Sequence, residues 1–313
     1  MNLRYPRRPV YSPKELAEYA AFRSAVAALR ALPLPTAQAI AARGARALFA
    51  RGGKRVDYVL ANLRIAFQEK TEEERREIGR ESWVQLAWNL IDVARGRDWK
   101  ADDIRARVDF EGKEIADTVL AAGKSAVCLT LHLGNFELLV RAVPLFGIPL
   151  SVIGRPLGNR LLREEIIRQR TGTGAELLLH RNVLPQMLRL IHKGRVVAIL
   201  NDQYARRSRG VFVPLFGVRA STSLGPAILA LRTGAPVVPA YSTRTGPDHH
   251  RLVVRPPIET PDTGDRRRDA ELLTARCNAA MEEIIRAHPE QWMWSHRRFR
   301  HSPDLPGDPY GGR

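Results

Sequence analysis

The sequence predicts an α/β domain, a mostly parallel central sheet flanked by helices, with a helical region in front of it. Beyond residue 108, short apolar runs alternate with segments of helical periodicity, and this alternation is typical of a layered domain with a parallel sheet. Residues 14–100 carry helical patterns alone, and Thr71 followed by Glu74 is spaced as a capping box at a helix start. At 313 residues and 44% hydrophobic composition, the chain can bury one large core or two modest ones.

The alternating part of the chain predicts six strands and five helices. The strands are expected at 125–131, 150–154, 175–179, 195–200, 235–241 and 251–255, and the helices at 136–146, 159–171, 183–193, 223–233 and 266–287. The first of these strands is uncharged and apolar, as expected of a central strand that is covered on both faces. Ligands of open α/β sheets bind at the carboxyl ends of the strands, where His132, Arg155 and the run 201–203 fall.

Four segments are expected along the chain. They are a basic amphipathic, membrane-associating segment at 1–50, a helical region packed on the core at 51–107, the α/β domain at 108–301, and a flexible tail at 302–313. The first segment holds eight basic residues against two acidic ones, which suits the face of an anionic bilayer. Its longest uncharged run, 31–42, is shorter than the ~20 residues of a membrane span. Its first 20 residues include six charges and no apolar core of a secretory leader.

The charge balance predicts an anionic partner. The formal net charge is +17, from 50 Lys and Arg against 33 Asp and Glu, and residues 155–209 hold twelve basic residues against four acidic ones. Nucleic acid, anionic lipid and an acidic carrier protein would all be attracted to such a chain. A non-catalytic nucleic-acid-binding protein would interleave aromatic residues with the basic ones, yet residues 160–170 contain none. The two cysteines, Cys128 and Cys277, lie in different apolar elements and indicate a reducing compartment.

A histidine and a glutamate flank the turn that follows the first predicted core strand. His132 ends the strand, Gly134 and Asn135 form the turn, and Glu137 begins the next helix. The turn can fold the carboxylate of Glu137 back onto the imidazole, which would make a general base. The spacing alone is weak evidence, since about one such pair is expected by chance in a chain of this composition. The alternative is a strand-end histidine that its neighbours merely cap.

Several other site types lack their sequence signatures. The chain has no Gly-x-Ser-x-Gly elbow, no P-loop, no Gly-x-Gly-x-x-Gly fingerprint, and neither a His-Glu-x-x-His nor a paired Cys-x-x-Cys metal motif. No cofactor and no metal ion are therefore expected.

Four blocks, taken together, resemble the bacterial lipid A biosynthesis acyltransferases, the lauroyl and myristoyl acyltransferase family within the lysophospholipid and glycerol-phosphate acyltransferase superfamily. The blocks, in chain order, are HLGNFE at 132–137, IGRPLGN at 153–159, NDQ at 201–203 followed by VPLFG at 213–217 and AST at 220–222, and GAPVVP at 234–239, and the chain closes with PEQWMWSHRRF at 289–299. Each block is weak singly, but in this order and spacing they are specific over residues 125–300. Family members usually begin with one membrane-spanning helix, and this chain has a basic amphipathic segment instead.

The resemblance implies transfer of a fatty acyl group from a thioester carrier to a hydroxyl of a membrane lipid. His132 would be the general base and Glu137 the residue that orients it, while Arg155 would clamp an anionic group of the substrate. The remaining substrate contacts are expected from Asn135, Asp202, Gln203 and Arg206.

The family also implies the partners and the location. The donor would be acyl carrier protein, which is acidic, and the acceptor a lipid A precursor at the cytoplasmic face of the bacterial inner membrane, with the enzyme peripheral rather than spanning. The acceptor stays open at this point, because a lysophospholipid, glycerol phosphate or a phosphoinositol mannoside would need the same chemistry.

Overall fold

The computed structural model describes residues 11–121, 125–154, 158–178, 183–206, 208 and 210–311. The helices are α1 (Pro13–Ala31), α2 (Leu34–Arg51), α3 (Lys54–Ala66), α4 (Glu72–Arg95), α5 (Ala101–Arg105), α6 (Lys113–Ala121), α7 (Phe136–Ala142), α8 (Arg160–Thr171), α9 (Leu184–His192), α10 (Gly225–Thr233) and α11 (Arg266–Ala287). The strands are β1 (Val108–Glu111), β2 (Ala126–Thr130), β3 (Leu150–Ile153), β4 (Glu176–Leu178), β5 (Val196–Leu200), β6 (Gly210–Leu215), β7 (Val218–Ser223), β8 (Val237–Arg244) and β9 (His250–Val254).

Seven of these strands form one mostly parallel sheet, so the predicted fold class is confirmed. Its order is β1-β9-β8-β2-β5-β3-β4, and β8 and β9 are the neighbours that pair antiparallel. β2 lies at the centre, between β5 and β8, and runs parallel to both. Because β2 and β5 are parallel and in register, with Thr130 opposite Leu200, the residues that follow them leave the sheet side by side.

Helices cover both faces of the sheet, which explains why its strands are apolar on both sides. One core cluster joins β2 and β8 to α3, α10 and α11, and a second lies under β3, β9 and α6. Trp292, Trp294 and Phe299 are at most 2% exposed in the first cluster. Cys128 and Cys277 are free thiols with pKa values raised to about 12 by burial, as expected of small apolar side chains.

The six strands and five helices predicted from the sequence are present, with boundaries that shift by a few residues. Strand β1, helix α6 and the hairpin of β6 and β7 were not predicted. The hairpin pairs only with itself among the described strands and packs on α11, so it lies outside the alternating pattern. Ser223 accepts a hydrogen bond from the backbone of Gly225 at the start of α10.

Helices α1 to α4 precede the sheet. Both α1 and α4 begin with a capping box, at Ser12 and at Thr71. Of the described helices, none is long and apolar enough to cross a membrane. At the other end of the chain Tyr310 is 8% exposed, and its hydroxyl donates to Asn62 in α3, so the tail is packed at that residue.

Candidate active site

The centre of the site is an imidazole–carboxylate pair at the carboxyl ends of β2 and β5. His132 follows β2, Asp202 follows β5, and His132 Nδ1 lies 2.8 Å from Asp202 Oδ1. The other carboxylate oxygen, Oδ2, accepts the backbone N–H of His132 and the indole N–H of Trp292, both at 2.8 Å. Asp202 is therefore held from three sides, and the two hydrogen bonds from His132 fix both the backbone and the ring.

Electrostatics favour an ionised Asp202 and a basic imidazole. Burial alone would raise the pKa of Asp202, but the attraction and hydrogen bonds from His132, with that from Trp292, outweigh it and lower the pKa. Burial would likewise lower the pKa of His132, and the charge and hydrogen bond of Asp202 outweigh it, so that this pKa is raised. An ionised carboxylate only accepts hydrogen bonds, so Nδ1 carries the proton and Nε2 carries the free lone pair.

Glu137 does not occupy the position that the sequence predicts. Its carboxylate forms a bidentate ion pair with Arg170 of α8, with Arg170 Nε 2.8 Å from Oε2 and Arg170 Nη2 2.5 Å from Oε1. The predicted pairing of Glu137 with the imidazole is therefore corrected: Asp202 takes Nδ1, because the neighbouring strand places it directly beside His132. Glu137 acts on His132 through space, and its charge adds to the rise in the histidine pKa.

The free nitrogen of His132 faces a partly open site. The His132 side chain is 16% exposed, and its Nε2 lies 3.5 Å from the side-chain nitrogen of Gln203. The Phe136 ring packs edge-on against the imidazole, with 5.0 Å between the ring centroids. Because the contact between Nε2 and Gln203 is long and Phe136 packs against the ring, this nitrogen can accept a proton from a substrate.

A buried network holds the turn between His132 and Glu137. The amide nitrogen of Asn135 donates to Asp92 Oδ2 at 2.9 Å, and its oxygen caps α7 by accepting from Leu138 N at 3.0 Å. Asn135 is 2% exposed with both ends of its amide occupied, so it positions the turn, and its contact with substrate stays a prediction. Arg244 of β8 bonds Asp92, and Asp92 and Arg244 each have side chains only 3% exposed.

Gly134 has to be glycine for a steric reason. Its φ is +54°, and a Cβ there would lie 2.1 Å from the carbonyl oxygen of Ser242 in β8. The Gly134 carbonyl accepts from the side chain of Asn89 at 2.7 Å. The turn can therefore press against β8 only with this residue.

The carboxyl-terminal segment of the chain closes the other side of the turn. Gly134 N donates to Gln291 O and Met293 N donates to His132 O, both at 3.0 Å, and Leu133 bridges to Trp292. His296, further along, accepts the backbone N–H of Tyr204 at 3.1 Å and so fixes the loop after Asp202. The segment 291–296 and the turn 132–135 thus form one packed unit around the imidazole.

Two joined apolar cavities lie beside this unit. The first has about 620 Å³ of empty space and is bounded by Phe136, Glu137 and Arg170 at the end near His132, and otherwise mainly by apolar residues of β2, β3 and β5. The second, of about 500 Å³, continues between the sheet and α6 and shares Cys128 and Leu150 with the first. The lining of both cavities is mainly apolar, which is the chemistry that a hydrocarbon chain requires.

Arg155 and Arg206 are the two remaining substrate contacts that the sequence predicts. Arg155 lies outside the described residues, so its role stays a prediction. Arg206 is exposed, and the described part of the chain gives it no hydrogen-bond partner. No group of His, Cys, Asp and Glu that could hold a metal ion occurs within the described ranges.

Comparison with known proteins gives this site its context. The family model of the bacterial lipid A biosynthesis acyltransferases matches residues 14–301. The chain belongs to this family. It is similar to the lipid A biosynthesis lauroyltransferase of Escherichia coli (strain K12), with 32% identity over 257 residues that cover 80% of this chain and 81% of that protein. The palmitoleoyltransferase of the same organism is 26% identical over 77% of this chain and 78% of its own, and the myristoyltransferase 22% identical over 75% and 72%.

Membership in this family confirms that the chain is an enzyme, an acyltransferase. Sequence reasoning missed Arg170 and the indole donor of Trp292. Arg170 is one of twelve basic residues in its segment and carries no distinguishing signal. Trp292 did offer one, since a buried indole usually finds a partner for its N–H.

Proposed function

We propose that this acyltransferase moves a fatty acyl chain from an acyl-thioester, carried by acyl carrier protein, to a hydroxyl of a lipid A precursor. The observation that carries the proposal is the Asp202–His132 pair, whose imidazole packs against Phe136, a residue that also lines the first apolar cavity. In this proposal the cavities accept the acyl chain, and the thioester carbonyl is presented to the imidazole beside Phe136.

The reaction needs one base and no covalent enzyme intermediate. Nε2 of His132 takes the proton of the acceptor hydroxyl as its oxygen attacks the thioester carbonyl carbon. The carbon–sulfur bond then breaks, the thiolate leaves, and the imidazolium returns the proton to it, so an ester and a free thiol result. Asp202 stabilises the imidazolium between the two steps, and the charge of Glu137 adds to that effect from a longer distance.

The donor and the acceptor are both anionic in this proposal. The basic segment 155–209 supports binding of an acidic carrier, although part of its charge is neutralised internally, as in the Arg160–Glu15 and Arg195–Glu176 pairs. Arg155 and Arg206 are proposed to contact the anionic groups, and Gln203 to contact the substrate beside His132.

We also propose a peripheral position at the cytoplasmic face of the bacterial inner membrane. Leu16, Ile40 and Leu48 of α1 and α2 are each at least half exposed, among the basic residues of that segment. High salt or carbonate should release much of the protein from membranes. Recovery only with detergent would contradict a peripheral attachment.

The test of the proposed function is reconstitution with purified protein. An acyl-thioester of acyl carrier protein is mixed with a lipid A precursor, and mass spectrometry follows the gain of one acyl chain. Lysophospholipid, glycerol phosphate and phosphoinositol mannoside are offered in parallel, and preference for one of them would overturn the acceptor. His132→Ala should abolish transfer with the fold intact, while His192→Ala, at an exposed position in α9, should leave it unchanged. Transfer by His132→Ala above a tenth of the wild-type rate would remove the base from the mechanism.

A further inference from the structure

A polar cleft of about 750 Å³ lies on the α8 side of the site and has not entered the mechanism. Arg97, Trp99, Arg141, Arg168 and Thr173 line it, together with Asp98, Gln169 and Gly172. This cleft brings together three guanidinium groups from three separate parts of the chain.

Arg141 of α7 is the unusual member of this cleft. It is 8% exposed, and its guanidinium bonds only two backbone carbonyls, Gly96 O at 2.6 Å and Trp99 O at 3.1 Å. No carboxylate in the described part of the chain pairs with it, and its Nε has no partner there. Burial lowers the pKa of Arg141, as expected for a cation that is withdrawn from water. Buried charges in proteins are normally paired, so this cation lacks a counter-ion.

The other two arginines, Arg97 and Arg168, each use only part of their N–H donors within the described structure. Arg97 uses Nε for Glu165 Oε1 at 2.6 Å, and Arg168 uses one terminal nitrogen for the same carboxylate. Among the described residues their remaining nitrogens have no partner. The carboxylates near the cleft are Glu165 and Asp98, and Asp98 pairs with Arg30 at 2.5 Å. With Arg30 included, four guanidinium groups lie near these two carboxylates, which leaves a local excess of positive charge.

Thr173 adds an unused hydroxyl. Its Oγ1 is buried and has no hydrogen-bond partner in the described structure. A hydroxyl together with several guanidinium groups is a donor set that suits the oxygens of a phosphate, which guanidinium groups bind bidentately.

The cleft is connected to the reacting centre. It shares Trp99, Arg141 and Gln169 with a neighbouring cavity of about 830 Å³, and that cavity reaches Phe136 and Glu137 beside the imidazole. The two cavities thus lie side by side, and the second ends at Phe136, the residue that packs against the imidazole.

We propose that Arg97, Arg141 and Arg168 form a binding site for a phosphate group of a substrate. The role in substrate binding rests on the proposed acyl transfer, whereas phosphate binding itself does not. The phosphate belongs either to the headgroup of the lipid acceptor or to the prosthetic arm of the thioester donor, and the kinetics below distinguish these sources.

The first experiment titrates the purified full chain with inorganic phosphate at constant ionic strength, with calorimetry and thermal unfolding as readouts. Arg168→Met should weaken phosphate binding about tenfold or more, since a charge-assisted hydrogen bond is lost. In this variant Glu165 still accepts hydrogen bonds from Arg97 and Gln169, so the protein should still fold. Arg267→Met is the matched control, because Arg267 is an exposed helix residue that also pairs with a glutamate on its own helix.

Thr173→Val separates a binding role from a structural one. The substitution removes an unpartnered buried hydroxyl and keeps the shape, so it should raise the unfolding temperature of the phosphate-free protein and weaken phosphate binding. Equal phosphate affinity in the wild type, Arg168→Met and Thr173→Val, or no binding at all, would overturn the site.

The second experiment measures KM for each substrate in wild type and in Arg168→Met. A higher KM for the phosphorylated acceptor, and not for a dephosphorylated one, would assign the site to the acceptor headgroup. A higher KM for the donor alone would assign it to the donor arm. Lost phosphate binding with both KM values unchanged would show an adventitious anion site only and overturn the substrate role. If the wild type transfers no acyl group, the proposed function fails, and the phosphate titration still decides the binding site.

Discussion

Replacement of Asp202 by asparagine should switch the tautomer of His132 without changing the shape of the site. In the structure one oxygen of Asp202 accepts from two N–H donors, the backbone of His132 and the indole of Trp292. In Asp202→Asn the amide oxygen must take the place of Oδ2, facing these two donors, because an amide nitrogen cannot accept a hydrogen bond. The NH₂ group then faces Nδ1, which becomes the acceptor, and the proton moves to Nε2, where it blocks the base.

The size of the effect follows from the hydrogen bonds that hold the asparagine in place. To restore the productive tautomer, the amide must flip and leave two buried donors unsatisfied, at about 1–3 kcal/mol each. A penalty of about 2–6 kcal/mol corresponds to a loss of roughly thirty-fold to 10⁴-fold in rate, at about 1.4 kcal/mol per factor of ten.

The assay is kcat/KM for acyl transfer as a function of pH. In wild type the base works neutral, and its pKa is raised, so activity should rise with pH through a limb centred above the ordinary value of about 6.5. In Asp202→Asn the larger of the contributions that raise this pKa are gone, only that of Glu137 remains, and burial still lowers it. The limb should therefore move to lower pH, and the activity on its plateau should fall. A variant with more than a tenth of wild-type activity, or with an unmoved limb, would refute the assignment of Asp202.

Three further outcomes are expected. Glu137→Gln should lower kcat/KM by less than about tenfold and shift the acid limb slightly downward, because Glu137 reaches His132 only through space; a loss as large as that of Asp202→Asn would contradict this order. Arg155→Lys should raise KM by roughly ten-fold or more with unchanged thermal stability, since an ammonium cannot make two parallel bonds to an anion, and normal kinetics would remove Arg155 from the site. Arg244→Met should lower the free energy of unfolding by about 3–5 kcal/mol in urea titrations, because the buried Asp92 carboxylate would lose its guanidinium partner and keep only Asn135 and His250. Adding Asp92→Asn should restore much of that loss, and a small single effect or no rescue would argue against the buried pair.

The sequence predicts the fold and the position of His132 at a strand end, but not the carboxylate that contacts its ring. The apolar run before His132 and the turn after it depend on local residues, so periodicity and turn chemistry place the histidine correctly at a strand end. By contrast, the order of the strands in the sheet decides which carboxylate binds Nδ1 of His132. Glu137 is five residues away along the chain, whereas Asp202 is adjacent only because β5 pairs beside β2. No local pattern specifies that neighbour.

The turn 132–135 cannot hold its own geometry, and this explains why distant segments converge on it. Fixing four residues costs about 4–8 kcal/mol of backbone entropy, at about 1–2 kcal/mol each. Six hydrogen bonds oppose that cost: two to Asp202 and one each to Gln291, Met293, Asn89 and Asp92. At a net 0.5–1.5 kcal/mol each they supply about 3–9 kcal/mol, so the gain and the cost nearly cancel. The orientation of the imidazole therefore depends on β5, on α4 and on the segment near residue 292 at the same time. Loss of any one of these anchors should lower kcat before it unfolds the protein.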